Sequence, residues 1–172
     1  MITVHVWSSA WDRYAPGGSP GSPGHAAIEI GSIYVSFWPG QEHPFIPFTW
    51  SGYNTKSKGE DLLHYRASGQ NYWFRTIPNN LGGPGLDEEK MLNRWREIQA
   101  QYPNYSIGFQ CSAVVNELLI AGGSRLFVEN KFTDFASWVL FAVSPSDVKD
   151  YAEALIASIS QARQNFSMID IG

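Results

Sequence analysis

A lone cysteine and four histidines are the residues of this chain best suited to covalent chemistry. Cys111 follows Tyr105-Ser-Ile-Gly-Phe-Gln110 and opens the run Cys111–Ala121, which Gly122-Gly123 closes as a C-cap. Val114, Val115, Leu118 and Leu119 make that run apolar on most sides, so it reads as the central buried helix with the sulfur at its N-terminus. There the helix dipole and the unpaired N–H groups lower a thiol pKa and favour the thiolate, which is the nucleophilic form. The same N–H groups can hold an oxyanion. The plainer alternative is packing alone, because a free cysteine is among the most buried residue types.

A cysteine nucleophile needs a base, usually histidine. His25 stands apart because it starts a strand directly after the Gly/Ser/Pro-dense segment Asp12–Gly24, which reads as a mobile loop. His25–Ile30 and Ile33–Trp38 flank Gly31-Ser32, a two-residue hairpin signal. Pairing Ile30 with Ile33 puts Ala27 opposite Ser36 and His25 opposite Trp38. One face then carries His25, Ala27, Glu29, Tyr34, Ser36 and Trp38; the other carries Ile28, Ile30, Ile33, Val35 and Phe37 and is the core face. A surface histidine is the competing reading of His25. His5 alternates within a first strand over Ile2–Val6 and reads as solvent-facing, while His43 and His64 fall in an irregular stretch. No HExxH or close His-x-His spacing supports a metal site, Gly82-Gly-Pro-Gly85 lacks the Lys-Ser/Thr of a phosphate loop and reads as a turn, and no Gly-x-Ser-x-Gly elbow is present.

The elements that must position these residues follow from pattern. Trp38-Pro39-Gly40 is expected to end the hairpin, residues 41–70 to form a Pro- and aromatic-rich irregular excursion, and Tyr72–Ile77 to form another strand. From Asp87, acids in the first turn and Met91, Trp95 and Ile98 at i, i+4 and i+7 mark an amphipathic helix that Pro103 stops. Ser146–Ser160 reads as a third helix. Strands precede most helices and no linker or repeat interrupts them, so the class is α+β and residues 1–172 read as one domain. Tyr53, Trp73, Trp50 and Phe48 either wall a cleft or cover a small sheet.

Composition sets the outer limits. With 12 Lys+Arg against 16 Asp+Glu the net charge is −4, which argues against nucleic acid as partner. One cysteine excludes an intrachain disulfide framework and every multi-cysteine zinc site. A hydrophobic fraction of 44% with 16% charged residues argues against disorder. Residues 1–11 show no Sec-type signal, and the longest apolar stretch, Trp138–Val143, is far short of the roughly 20 residues a membrane helix needs. The expectation is synthesis in the cytoplasm, with secretion or injection into a target cell left open.

Three segments carry a resemblance: Gly24-His25-Ala-Ala-Ile-Glu-Ile-Gly31, Tyr34-Val-Ser-Phe-Trp-Pro39 and Phe109-Gln-Cys111-Ser-Ala-Val-Val. In the order His then Cys, the chain resembles the circularly permuted branch of the papain-like cysteine hydrolases, which includes permuted NlpC-type peptidases and lecithin retinol acyltransferase-like enzymes. It looks particularly like the versions found as bacterial effectors or toxin modules. The resemblance spans roughly residues 20–125. It implies a small antiparallel sheet packed on a central helix, Cys111 as nucleophile, His25 as general base and acid, and a third polar residue that fixes the imidazole. Ser36 falls in that third place, about 7–8 Å away across the hairpin diagonal. Ser departs from the Asp, Glu, Asn or His of many relatives, and Glu29 lies about 13 Å along the strand. Gln110 is either an oxyanion donor or a helix-capping bystander. The implied reaction is cleavage of an amide in a peptide, a peptidoglycan or a host protein, without cofactor or metal. A cognate immunity protein or a secretion-system component is an expected partner. Acyl transfer or thioester cleavage by the same fold, and a non-catalytic binding module, are the alternatives.

Overall fold

The computed structural model describes residues 1–7, 24–42, 50–67, 70–101, 110–129 and 143–169. In chain order these form β1 (Ile2–Trp7), β2 (His25–Ile30), β3 (Ile33–Glu42), β4 (Trp50–Thr55), α1 (Lys58–Ala67), β5 (Tyr72–Ile77), α2 (Glu88–Gln101), α3 (Cys111–Ala121), a 3-10 turn at Ser124–Leu126 and α4 (Pro145–Ile169). The five strands make one antiparallel sheet in the order β4-β3-β2-β1-β5. Among the described residues the fold is therefore α+β, with a five-strand antiparallel sheet and four α-helices.

Strand periodicity divides the sheet into two unlike faces. Ile2, Val4, Val6, Ala26, Ile28, Ile30, Val35 and Phe37 point to one side, where they meet Met91, Trp95 and Ile98 of α2, Val114 and Leu118 of α3, and Leu155 and Ile159 of α4. Thr3, His5, Trp7, His25, Ala27, Tyr34, Ser36 and Trp38 point to the other side. There Trp7 and Ala27 pack with Tyr65 of α1, bordered by Tyr34, Trp38 and Leu62. The sheet thus separates a hydrocarbon core from a smaller polar and aromatic layer under α1.

The hairpin register agrees with the pattern: Ile30 pairs with Ile33 and Ala27 with Ser36, and Gly31 supplies the positive φ of 61° that the tight turn requires. Tyr72–Ile77 and Cys111–Ala121 have the expected bounds. α2 begins one residue later than expected, because the Asp87 carboxylate accepts the Lys90 N–H as an N-terminal cap. Gly82–Gly85 lies in a turn closed by bonds from Leu86 N–H to the Pro78 carbonyl and from Asn80 N–H to the Leu86 carbonyl.

Three expectations need correction. β3 does not end at Trp38-Pro39-Gly40 but continues to Glu42. Its pairing with β2 stops at Ala27–Ser36 while its pairing with β4 runs on, so Pro39 sits where only one neighbour asks for hydrogen bonds. Residues 41–70 are not simply irregular, for they hold β4 and α1. The start of α1 is signed by a capping box: the Ser57 hydroxyl receives the Glu60 N–H, and the Glu60 carboxylate receives the Ser57 N–H. The last helix runs from Pro145 to Ile169, nine residues beyond Ser160. Its start is capped by Ser144 with Asp147, and its extension is tied down by Arg163, which donates to the carbonyls of Pro84 and Asn79. The expectations for Pro103, His43, Phe48, the loop up to Pro23 and the apolar run from Trp138 to Phe141-Ala142 lie outside the described residues. Among the described residues no helix is long and apolar enough to cross a membrane.

Candidate active site

Cys111 is the first residue of α3, and Gln110 before it is extended (φ −125°, ψ −178°) and makes no side-chain cap. Instead the Gln110 amide donates to the Val143 carbonyl at 3.2 Å. The thiol lies 5% exposed where the α3 terminus meets the end of β2. It lies near enough to the His25 side chain and the Ala26 backbone N–H for both to act on its pKa, with Ser112 Oγ 3.9 Å away.

His25 is 2% exposed and is held in plane by rings on three sides: Trp38 at 4.6 Å, Trp7 at 5.5 Å and Tyr65 at 5.6 Å between centroids. Its Nε2 lies 3.0 Å from Ser36 Oγ and 3.4 Å from Asp61 Oδ2. Ser36 Oγ is also 2.6 Å from Asp61 Oδ2 and 2.8 Å from Trp38 Nε1. These distances fix the proton positions. The one Ser36 hydroxyl proton goes to the carboxylate, which can only accept. Trp38 Nε1–H can only donate, so it takes one Ser36 lone pair, and the other must receive a proton from His25. The imidazole therefore carries its hydrogen on Nε2, which leaves Nδ1 for the thiol.

Asp61, on the buried face of α1, terminates this chain. Its Oδ2 accepts from Ser36 and from Tyr34 OH (2.8 Å), and its Oδ1 accepts from Trp38 Nε1 (2.9 Å). It is fully buried, and burial alone would push its pKa up. The bond and charge of His25, with the hydroxyls of Ser36 and Tyr34, more than offset that and hold it below the usual carboxylate range.

The same balance governs the other end. Burial lowers the pKa of His25, but the Cys111 thiolate and the Asp61 carboxylate overcome it and raise it to about 9. Burial raises the pKa of Cys111, and the imidazolium charge, its hydrogen bond and the Ala26 N–H bring it below the ordinary thiol value. Each charge stabilises the other, so both shifts favour a thiolate–imidazolium pair. It exists from the depressed thiol pKa up to about pH 9, where His25 loses its proton. Iodoacetamide should therefore label Cys111 rapidly even at pH 6. In His25→Ala the thiol reverts toward ordinary acidity, at which only about 0.3% is ionised at pH 6. Labelling should slow by about 10- to 100-fold, since higher basicity returns part of the loss as nucleophilicity. The gap should close toward pH 9; a profile unchanged by the substitution would dissolve the pair.

Of the residues singled out by sequence, the structure brings Cys111, His25 and Ser36 together. Asp61 was missed: its helix has only Asp61 and Tyr65 buried among its described side chains, too few for a clear apolar period. The usable signal was Ser57-x-x-Glu60, which announces a helix with Asp61 in its first turn. His5 does not face solvent. It is fully buried, with Nδ1 2.6 Å from Tyr72 OH and Nε2 3.1 Å from Glu29, and burial lowers its pKa. Tyr53 stacks on Phe37 at 4.8 Å and Trp73 packs on the core, so both cover the sheet instead of lining a cleft. The side chain of Trp50 lies outside the description. Among the described residues no group of three or more His, Cys, Asp and Glu is placed to hold a metal ion.

A family model, that of the IcsB middle domain, matches residues 76–170. The matched span contains Cys111, α2, α3 and α4, and begins after His25, Ser36 and Asp61. No curated protein and no solved structure matches the chain.

Proposed function

The chain belongs to the IcsB middle domain family, a bacterial effector domain, and from that premise we propose that it is a thiol-dependent acyl-transfer enzyme. The observation that carries the proposal is the buried arrangement of Cys111 beside His25, with His25, Ser36 and Asp61 joined by hydrogen bonds behind it. The Cys111 thiolate attacks the carbonyl of an acyl donor, and backbone N–H groups of the first turn of α3 receive the oxyanion. The leaving group departs with the proton of the His25 imidazolium or, where it leaves as an anion, that proton passes to solvent once the thiolate charge is gone; a neutral His25 and an acyl thioester on Cys111 remain. His25 then removes a proton from the acceptor as it attacks the thioester, and the thiolate is released. A nearly dry nucleophile favours an acceptor bound at the site over bulk water.

Amide cleavage is the same scheme with water as acceptor, and one observation favours it: an amine leaving group must be protonated, and His25 stores that proton at neutral pH. The permuted papain-like order, His25 before Cys111, is in keeping with both, and substrates of peptide, peptidoglycan or protein character suit both. In either reading the functional unit takes in both the hairpin and α3. Delivery out of the producing cell is in keeping with an effector family.

Reaction with p-nitrophenyl acetate tests the proposal. One equivalent of nitrophenolate should appear in a burst, with the acetyl group found on Cys111 by peptide mass. Decay hastened by a lysine-containing peptide that gains the acetyl group marks transfer; decay in buffer alone at the same rate marks hydrolysis. Absence of acetyl from Cys111 would overturn both and leave a binding module.

A further inference from the structure

Outside the site, a second polar cluster built around the buried His5 lies on the same face of the sheet, and the role it suggests rests on the acyl-transfer reading. Lys58 Nζ donates to both oxygens of Glu29, at 3.0 and 3.2 Å. Glu29 Oε2 also lies 3.1 Å from His5 Nε2. A carboxylate only accepts, so His5 carries its proton on Nε2, and its Nδ1 receives the Tyr72 hydroxyl proton at 2.6 Å. The path Tyr72–His5–Glu29–Lys58 therefore has a fixed direction and joins β5, β1 and β2 to the first residue of α1.

Among the described residues, α1 is otherwise held by the bonds to Asp61 and by a small apolar and aromatic contact. Leu63 is 72% exposed, and the apolar contact with the sheet rests on Tyr65 and Leu62. The helix reaches the sheet through side chains without close backbone packing. Lys58 and Asp61 stand three residues apart, on one face of the helix. Two polar anchors thus sit one turn apart, and the second of them is the carboxylate that orients Ser36 and His25. We propose that Lys58, gripped by the Glu29 that His5 holds in place, is a positioning residue for the acyl-transfer site, clamping α1 so that Asp61 stays seated against Ser36.

The clamp does not touch Cys111, so it acts only through the seating of Asp61. Lys58→Met should leave far-UV CD and melting near wild type, because half-exposed ion pairs contribute little to global stability. Labelling of Cys111 by iodoacetamide at pH 6 should slow by about fivefold, with the whole profile moved to higher pH. Acetyl turnover should fall by the same factor with KM for p-nitrophenyl acetate unchanged, and Lys58→Arg should restore both. Should Lys58→Met melt early, Glu29→Gln, which keeps the shape and removes the charge, takes its place and should give the same shift. A wild-type profile in the substituted protein, or no recovery with Lys58→Arg, overturns the clamp. Failure of the underlying reading looks different: the wild-type thiol would then titrate near 8.5 and ignore His25→Ala.

Discussion

Cys111→Ala is expected to lower acetyl transfer by about 10⁴-fold or more, with the protein still folded. No other described side chain at the α3 terminus is a nucleophile of comparable strength, and Ser112 would need a base aimed at it. Alanine is well accepted in the first turn of a helix, so secondary structure should be kept. The informative change lies at His25. Burial pulls its pKa down, and the thiolate is the largest influence pulling it up to about 9; without the thiolate the ring should titrate nearer its ordinary value of 6.5. NMR of the imidazole protons against pH reads this directly. A raised histidine adds stability that is complete below about pH 6.5 and is lost as the pH rises through about 9. Cys111, whose pKa is lowered, adds stability that grows with pH over an overlapping range and offsets this, so the wild-type urea midpoint should hold nearly level there and fall only as the pH rises past about 9. Undiminished acetyl transfer by Cys111→Ala would remove the nucleophile from the scheme altogether.

The second large effect is expected from Asp61→Asn, on the order of 10³- to 10⁴-fold in kcat/KM. Three donors, Ser36, Tyr34 and Trp38, converge on a carboxylate that accepts on both oxygens. An amide offers one accepting oxygen and one donating nitrogen. With its oxygen toward the indole N–H, which cannot turn, its NH₂ faces Ser36 Oγ. That oxygen would then meet three donors, from the introduced amide, Trp38 and His25, with two lone pairs. The histidine yields by moving its proton to Nδ1, and the nitrogen facing Cys111 can no longer accept. The thiol should titrate higher in the labelling profile while CD stays native. Asp61→Ala should instead reveal a stability cost of about 1–3 kcal/mol for each donor left without an acceptor. Equal activity in Asp61→Asn and wild type would show that Ser36 alone orients the ring.

The contrast between Ser36 and Asp61 shows what a single sequence can and cannot convey. Ser36 and His25 are joined by a tight turn, so two-residue alternation and one pairing settle which side chains share a face. Cys111 declares itself through the apolar helix it opens, since most of that helix is buried. Asp61 reaches Ser36 across 25 residues, from a helix whose docking relies on specific polar contacts more than on an apolar stripe. Such contacts have no period. Likewise His5 looks like an outward-facing strand residue until Tyr72, Tyr34 and Glu29 enclose it, because alternation tells the faces of a sheet apart but not which of them other side chains bury. Pro39 misled for a related reason: proline ends a strand only where its missing N–H is wanted.

The sheet stands between two layers, and the site draws its sulfur from one and its carboxylate from the other. An unfolded chain has one ordinary cysteine; its pKa falls when α3 sets it beside His25 and the Ala26 N–H, and α1 brings the carboxylate that supports His25 in turn. Reactivity at pH 6 is therefore a gauge of assembly, silent until α3 has closed on the hairpin. Labelling during refolding from urea would time that docking step, and the moment at which this chain first becomes chemically dangerous to its surroundings.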